Sequence, residues 1–132
     1  MENRIYHVTN EQISQIKRKL HSIKGLWIGE IDGALIDTWE DYAHVIEKVM
    51  QFPTPCKSFE SYNDWITDLS WLHASGYALI IKNFNRFMSK DLEKKEIVME
   101  LFEEDVLPWW QDEIKNCVVE GEPKPFNVYL VD

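Results

Sequence analysis

Three short apolar segments, separated from one another by long stretches of helical periodicity, constrain the fold of this chain more than any other feature. They are predicted strands and cover residues 26–31, 77–81 and 126–131. Strands separated by helices are joined by crossovers, and crossovers build parallel sheets whose faces are covered by helices. The sequence therefore predicts an α/β fold with a small three-stranded parallel sheet and flanking helices.

Predicted helices fill the intervals and begin at residues whose side chains are suited to helix capping. They cover residues 9–24, 39–51, 58–73 and 91–102. Thr9, Thr38 and Ser58 stand at the starts of the first three, where a hydroxyl can accept a hydrogen bond from a free backbone N–H. Pro108 is expected to limit or kink the helical segment that follows the fourth.

Charge divides the chain into two predicted regions, an N-terminal helical extension at residues 1–24 and a main domain at residues 25–132. The extension carries five Lys or Arg and two Glu, whereas the whole chain has a net charge of −9. The main domain is thus strongly acidic, which disfavours direct binding of nucleic acid and favours a basic partner. An apolar content of 45%, with six Trp, six Phe and five Tyr, supports a packed core.

The N-terminus and the two cysteines predict a cytoplasmic protein. Residues 1–9 lack the apolar run of a signal peptide, and no segment approaches the roughly 18 consecutive apolar residues of a membrane span. Cys56 and Cys117 are far apart in the sequence and lack the spacing of a metal-binding or redox pair. Both are therefore expected to be reduced thiols.

Glu60, Asp64 and Asp68 follow one another at four-residue intervals along the third predicted helix. On a helix such side chains lie on one face, where like charges repel by roughly 0.2–0.5 kcal/mol per pair. No Lys or Arg occurs from residue 58 to residue 81 to neutralise them. A metal site is not predicted, because all three carboxylates lie on one element without the loop of a calcium site. The remaining alternatives are an ordinary solvated face and a surface presented to a positively charged partner.

An enzymatic alternative arises at the first predicted strand and the turn after it. Residues 30–38 resemble the first motif of haloacid-dehalogenase-type phosphatases, Asp-x-Asp-Gly-Thr-Leu. Glu30 stands in place of the nucleophilic Asp and Ala34 in place of the Thr, and an Asp-Gly turn between strand and helix produces this string by itself. The sequence shows no catalytic triad and no glycine-rich phosphate loop. We therefore predict a protein that is not an enzyme and needs no cofactor or metal.

The segment from Ser58 to Leu69 reads Ser-Phe-Glu-Ser-Tyr-Asn-Asp-Trp-Ile-Thr-Asp-Leu and resembles the central helix of the barstar family of ribonuclease inhibitors. The likeness continues in the strand near residues 78–83, the acidic fourth helix and the last strand, and it covers about residues 26–131. It implies a three-stranded parallel sheet with helices packed against it. It also implies binding to a secreted, basic ribonuclease inside the producing cell, with the acidic helix and the preceding loop in the enzyme's active site.

The resemblance also implies roles for particular side chains. Asp64 stands for the family's principal acid, and Glu60 and Asp68 are flanking carboxylates that meet the enzyme's cations where RNA phosphates would bind. The further partner-binding residues that it implies are Cys56, Lys57, Ser58 and Glu104. The loop at residues 54–57 departs from the family pattern, because it has neither an aromatic residue nor a glycine, and Lys57 has the same sign as a basic enzyme. The expected partner is a basic extracellular-type ribonuclease or related toxin, bound by a chain that is a monomer when free.

A second interpretation is a non-inhibitory protein-interaction module on the same scaffold, because a fold does not determine a function. The partner would then bind the basic helix within residues 1–24, or the adjacent Trp109 and Trp110. Deletion of residues 1–24 is expected to separate the two interpretations, since inhibition would survive it and such a module would lose its partner.

Overall fold

A four-stranded parallel sheet forms the centre of the computed structural model, which describes residues 2–132. The strands are β1 (Ile5–Val8), β2 (Leu26–Asp32), β3 (Gly76–Lys82) and β4 (Phe126–Val131), and they lie in the order β1-β4-β3-β2. The predicted α/β class, the parallel sheet and the flanking helices are confirmed. The predicted number of three strands is wrong.

The additional strand β1 lies in the segment that was expected to be only a helical extension. It pairs in parallel with β4, with Ile5 opposite Val128 and Val8 opposite Val131. Two of its four side chains, Tyr6 and His7, are exposed. A four-residue edge strand with so few buried side chains has no clear period in the sequence, so its position depends on pairing with a distant strand.

The first three helices begin where their capping residues predicted. They are α1 (Asn10–His21), α2 (Trp39–Val49), α3 (Phe59–Ile66), α4 (Leu92–Leu101) and α5 (Ile114–Cys117). Thr9, Thr38 and Ser58 each accept a hydrogen bond from the backbone N–H three residues further on, in the expected capping geometry. Among residues 2–132, no helix combines the length and the apolar character that a membrane crossing requires.

Helix α4 continues into α5 through two wider, π-helical turns, Phe102–Val106 and Trp109–Glu113. Pro108 lies between these turns and does not end the helical run. Proline removes one backbone donor, and a change from α-helical to π-helical bonding accommodates that loss. The adjacent Trp109 and Trp110 consequently point in different directions: Trp110 is buried in the core, and Trp109 is half-buried at the surface.

The helices cover both faces of the sheet because the connections run in two directions. The chain passes from β2 to β3 and from β3 to β4 in one direction across the sheet, but from β1 to β2 it crosses in the other. Right-handed crossovers that run in opposite directions must lie on opposite faces. Helix α1 therefore packs on one face, and α2, α3 and the α4–α5 run pack on the other.

Helix α1 buries Ile13 and Leu20 against Ala78, Ile80 and Val131 on its face of the sheet. An ion pair between Lys17 Nζ and Glu30 Oε1, 2.6 Å apart, joins the same helix to β2. Residues 1–24 thus contribute a strand and a packed helix to the sheet. Their removal would expose apolar sheet surface, so the deletion considered above cannot test binding alone.

The larger core lies on the opposite face and contains one buried hydrogen bond between side chains of different helices. Tyr42 of α2 and Tyr62 of α3 are fully buried, and their hydroxyl oxygens are 2.7 Å apart. The two rings also meet edge to face, with centroids 5.6 Å apart. This bond helps to determine how α3 packs on α2, because one hydroxyl donates to the other where water is excluded.

Replacement of Tyr62 by Phe is expected to lower the free energy of unfolding by about 1–3 kcal/mol, since it leaves the Tyr42 hydroxyl buried without a partner. The Tyr42→Phe/Tyr62→Phe double variant should lose less than the sum of the two single variants. Urea unfolding followed by circular dichroism measures the free energy of unfolding of the single and double variants. Tyr6→Phe, at an exposed tyrosine, is the control. Strict additivity of the two single losses would contradict the assigned bond.

Candidate functional site

Helix α3 presents Glu60 and Asp64 to solvent because its other face is fixed in the core. Ser58 caps its first turn, and Tyr62 and Ile66 are fully buried. The arrangement agrees with the predicted acidic face for these two residues, both of which are exposed. Their carboxylates are held outward by a helix whose orientation is determined by packing.

The acidic column is shorter than the sequence predicts, because α3 ends at Ile66 and not near residue 73. The Thr67 hydroxyl donates to the carbonyl of Asn63 at 2.6 Å and closes the last turn. Leu69 then adopts a left-handed backbone, with φ of 53°, which turns its side chain into the core. Asp68 therefore lies in the turn after the helix, where its carboxylate accepts a bond from the backbone N–H of Ser70 at 3.3 Å.

Asp64 and Asp68 nevertheless line one surface cleft, which has a volume of about 500 Å³. Glu60 is not among the lining residues. The loop between α5 and β4 also lines the cleft and contributes Glu120 and Glu122. Trp109, Trp110 and Lys124 also line it.

Sequence analysis did not identify Glu120 and Glu122 as site residues, although a signal for their position was present. The turn that holds Asp68 leads into β3, and the loop that holds Glu120 and Glu122 leads into β4. Since β3 and β4 are parallel neighbours, the segments that precede them meet at the same edge of the sheet. The predicted parallel topology could therefore have brought these acids together.

The carboxylates of this site have no ion-pair partners within residues 2–132. The ion pairs of that part of the chain use other acids, namely Glu2, Glu30, Asp37, Glu40 and Glu47. The one cation that lines the cleft is Lys124, whose Nζ lies 5.9 Å from the Tyr77 ring centroid and 6.0 Å from that of Trp110. The surface formed by α3 and the cleft is therefore strongly negative.

In the loop before α3, fewer side chains are accessible to a partner than expected. Cys56 is 3% exposed, its N–H donates to Glu47 Oε2 at 3.1 Å, and its thiol lies 3.6 Å from the Ala43 carbonyl. Burial, with a smaller effect from the charge of Glu47, raises the pKa of the Cys56 thiol to about 11. Cys56 is therefore a neutral core residue whose side chain is covered in the free chain, and its role in partner binding stays a prediction. Lys57 and Ser58 are exposed.

Glu104, the last of the expected contact residues, is exposed on the first π-helical turn. It does not line the cleft with Asp64 and Asp68. The structure thus brings together two of the expected acids, Asp64 and Asp68, and adds Glu120 and Glu122 to them. Glu60 and Glu104 stand outside the cleft.

The residues of the phosphatase-like motif have structural roles here. Glu30 accepts a hydrogen bond from Lys17 Nζ at 2.6 Å and lies 3.6 Å from Lys82 Nζ. Partial burial raises the pKa of Glu30, but the bond to Lys17 and the two ammonium charges together outweigh it and lower the pKa. Asp32 accepts bonds from the Ala34 N–H and the Asn83 amide and so caps the turn after β2. In the part of the chain that the structure describes, no three His, Cys, Asp or Glu side chains are arranged to hold a metal ion.

Comparison with known proteins supplies a family match for most of the chain. A family model described as "Barstar (barnase inhibitor)" matches residues 28–130, a range that contains the three predicted acids and the cleft but neither β1 nor α1. No curated protein and no solved structure matches. The family match therefore rests on the region that carries the acidic surface.

Proposed function

This chain belongs to the barstar family, and from that membership we propose that it is an intracellular inhibitor or immunity protein that binds a basic ribonuclease or related toxin. The family is described as barnase inhibitors, and so as binding proteins and not as enzymes. The observation that carries the proposal is the exposed, unpaired carboxylate surface of Glu60, Asp64 and Asp68. A surface of this kind stabilises a complex with a partner that supplies the missing positive charge.

The proposed mechanism is occupation of phosphate-binding positions by carboxylates. A ribonuclease active site holds cationic side chains that receive the phosphates of RNA, and carboxylates held on a rigid helix can take those positions. Asp64 is central because it lies both on the exposed face of α3 and at the edge of the cleft. Glu60 and Asp68 flank it, and the loop at residues 54–57 forms a rim that sets specificity. The mechanism uses no cofactor.

The test is a titration of the chain into the assay of a barnase-type ribonuclease at low and at moderate salt. We expect inhibition to saturate at equal concentrations of the two proteins and to weaken as salt screens the charges. The Arg18→Ala/Lys19→Ala variant is the control, because both residues are exposed on α1, which packs on the other face of the sheet from α3. Absence of inhibition at a micromolar excess of the chain would contradict a barnase-type target.

A non-inhibitory module remains the second candidate, and the exposed Arg18 and Lys19 of α1 are the observation in its favour. This surface lies on the opposite face of the sheet from α3. Charge reversal at Arg18 and Lys19 tests it better than deletion, because it leaves the buried Ile13 and Leu20 in place. A partner that binds this surface would no longer bind the charge-reversed variant, whereas the variant would still inhibit a ribonuclease.

A further inference from the structure

The outer side of β1 is an open edge of the sheet, because β1 is the last strand in the order β1-β4-β3-β2. The carbonyls of Arg4 and Val8 accept hydrogen bonds, at 3.0 and 3.2 Å, from N–H groups in β4 and directly after it. Backbone groups alternate in direction along a strand, so Ile5 and His7 direct theirs away from β4. Two N–H and two carbonyl groups of β1 therefore face outward, where a further strand can bond them.

A groove of about 590 Å³ opens beside the start of this edge, between residues 2–5 and the helical run from α4 to α5. The helical wall includes Glu103, Leu107 and Gln111, which follow one another at four-residue intervals. An open strand edge beside a groove is the arrangement in which an extended peptide binds as an added strand. None of the lining residues belongs to the cleft beside α3. This surface is therefore separate from the proposed ribonuclease-binding surface.

Asn3 holds the two walls of the groove at a fixed separation. Its side-chain amide donates to the carbonyls of Leu107, at 3.3 Å, and Lys124, at 3.2 Å. Its Oδ1 accepts a bond from the Phe126 N–H at 3.1 Å, and its own N–H donates to Gln111 Oε1 at 2.5 Å. These bonds join the segment before β1 to the helical run and to the start of β4. The groove is thus already formed in the free chain, which lowers the cost of filling it.

The side chains around the groove favour an occupant with basic and apolar residues. Arg4 and Glu2 form an ion pair at 2.8 Å, so their charges offset each other. Glu103 and Asp112 are exposed and have no ion-pair partner within residues 2–132, which leaves the groove with an excess of two negative charges. Leu107 adds apolar surface to the same wall. Charge complementarity therefore selects a positively charged segment.

We propose that this groove binds an extended, basic peptide segment of another protein, which joins the sheet as a fifth strand beside β1. Its backbone bonds the outward N–H and carbonyl groups of Ile5 and His7. Alternate side chains of an added strand point to opposite faces, so one set enters the groove and the other meets the exposed ring of Tyr6. Basic side chains of the first set pair with the two unpaired acids. Strand β1 lies outside the residues that the barstar family model matches, so this surface is an addition to the family domain.

The test is an NMR titration of the full ¹⁵N-labelled chain with the peptide acetyl-Lys-Thr-Val-Thr-Lys-amide. We expect the backbone amide signals of Ile5 and His7 to shift, and the exchange of their hydrogens with deuterium to slow severalfold. An analogue methylated at the three central backbone nitrogens keeps the charges but lacks the donors, and it should have far smaller effects. Signals of β2, at the other edge of the sheet, are the internal control. Equal effects of the analogue, changes confined to α3, or no change at millimolar peptide would overturn the proposal.

Removal of the two unpaired acids provides a matched comparison. Glu103→Gln/Asp112→Asn should raise the dissociation constant of the peptide on the order of fivefold, as for two solvated ion pairs. Glu96→Gln/Glu100→Gln removes the same charge at exposed positions of α4 and should have little effect. Equal weakening in both double variants would show attraction to the acidic chain as a whole and refute the groove. Sedimentation of the chain alone tests a second copy as the occupant, since a dimer that protects the outward N–H groups of β1 without peptide would also refute it.

Discussion

Asp64→Ala is expected to weaken binding of the chain to the proposed ribonuclease target by about 2–5 kcal/mol, the range typical of a buried charge pair truncated on one side. Asp64 is exposed in the free chain, so the variant should fold normally. In the complex its carboxylate would be removed from water against cationic side chains of the enzyme. Truncation leaves those cations buried without a partner, and this penalty accounts for the size of the expected loss.

The measurement is the dissociation constant of each variant by titration calorimetry, supported by inhibition assays at two salt concentrations. Asp64→Asn keeps the size of the side chain and should lose nearly as much affinity, because the charge supplies most of the interaction. Glu100→Ala, at an exposed acid of α4, should bind like the parent. Parent-like affinity of Asp64→Ala would show that the enzyme does not contact this part of α3.

Trp39→Ala is expected to lower the free energy of unfolding by about 3–5 kcal/mol, the usual cost of replacing a buried Trp by Ala. Trp39 is 5% exposed and is the first residue of α2. Its ring centroid lies 4.2 Å from that of Phe59 and 5.6 Å from that of Tyr62, both on α3. The substitution would leave a cavity under the first half of α3, so ribonuclease binding should weaken as well.

Urea unfolding followed by circular dichroism measures this loss, and Trp65→Ala is the matched control. Trp65 is on α3 itself but half-buried, and its indole N–H donates to the Thr54 hydroxyl at 3.2 Å near the surface. We expect its removal to cost about 1 kcal/mol, since much less apolar area is exposed. Equal losses for the two variants would contradict the assignment of Trp39 as the anchor of α3.

Three of the four strands were predictable because their apolar residues are local in sequence. β3 is buried on both faces and therefore reads as a continuous apolar run. In β1 only Ile5 and Val8 are partly buried, and the segment forms a strand because its backbone pairs with β4. Helix starts were predictable for a similar reason, since a capping hydroxyl acts within three residues of itself.

The end of α3 and the shape of the cleft could not be predicted from periodicity. Leu69 and Leu72 continue the apolar spacing of the helix, so the sequence favours a helix beyond Ile66. The structure instead buries Leu69 through a left-handed backbone, which only the surrounding core can impose. The cleft unites residues more than fifty positions apart, and its existence follows from the order of the strands.

The pairing of β1 with β4 also sets the order in which the chain can acquire its structure. During synthesis the segment Ile5–Val8 is made early, yet its partner Phe126–Val131 is made more than a hundred residues later. Two backbone hydrogen bonds, from the Asp132 N–H to the Val8 carbonyl and from the Asn10 N–H to the Asp132 carbonyl, both at 3.2 Å, then close the sheet. The nascent chain therefore carries Ile5–Val8 without its strand partner until Phe126–Val131 has also left the ribosome, so this edge of the sheet forms late.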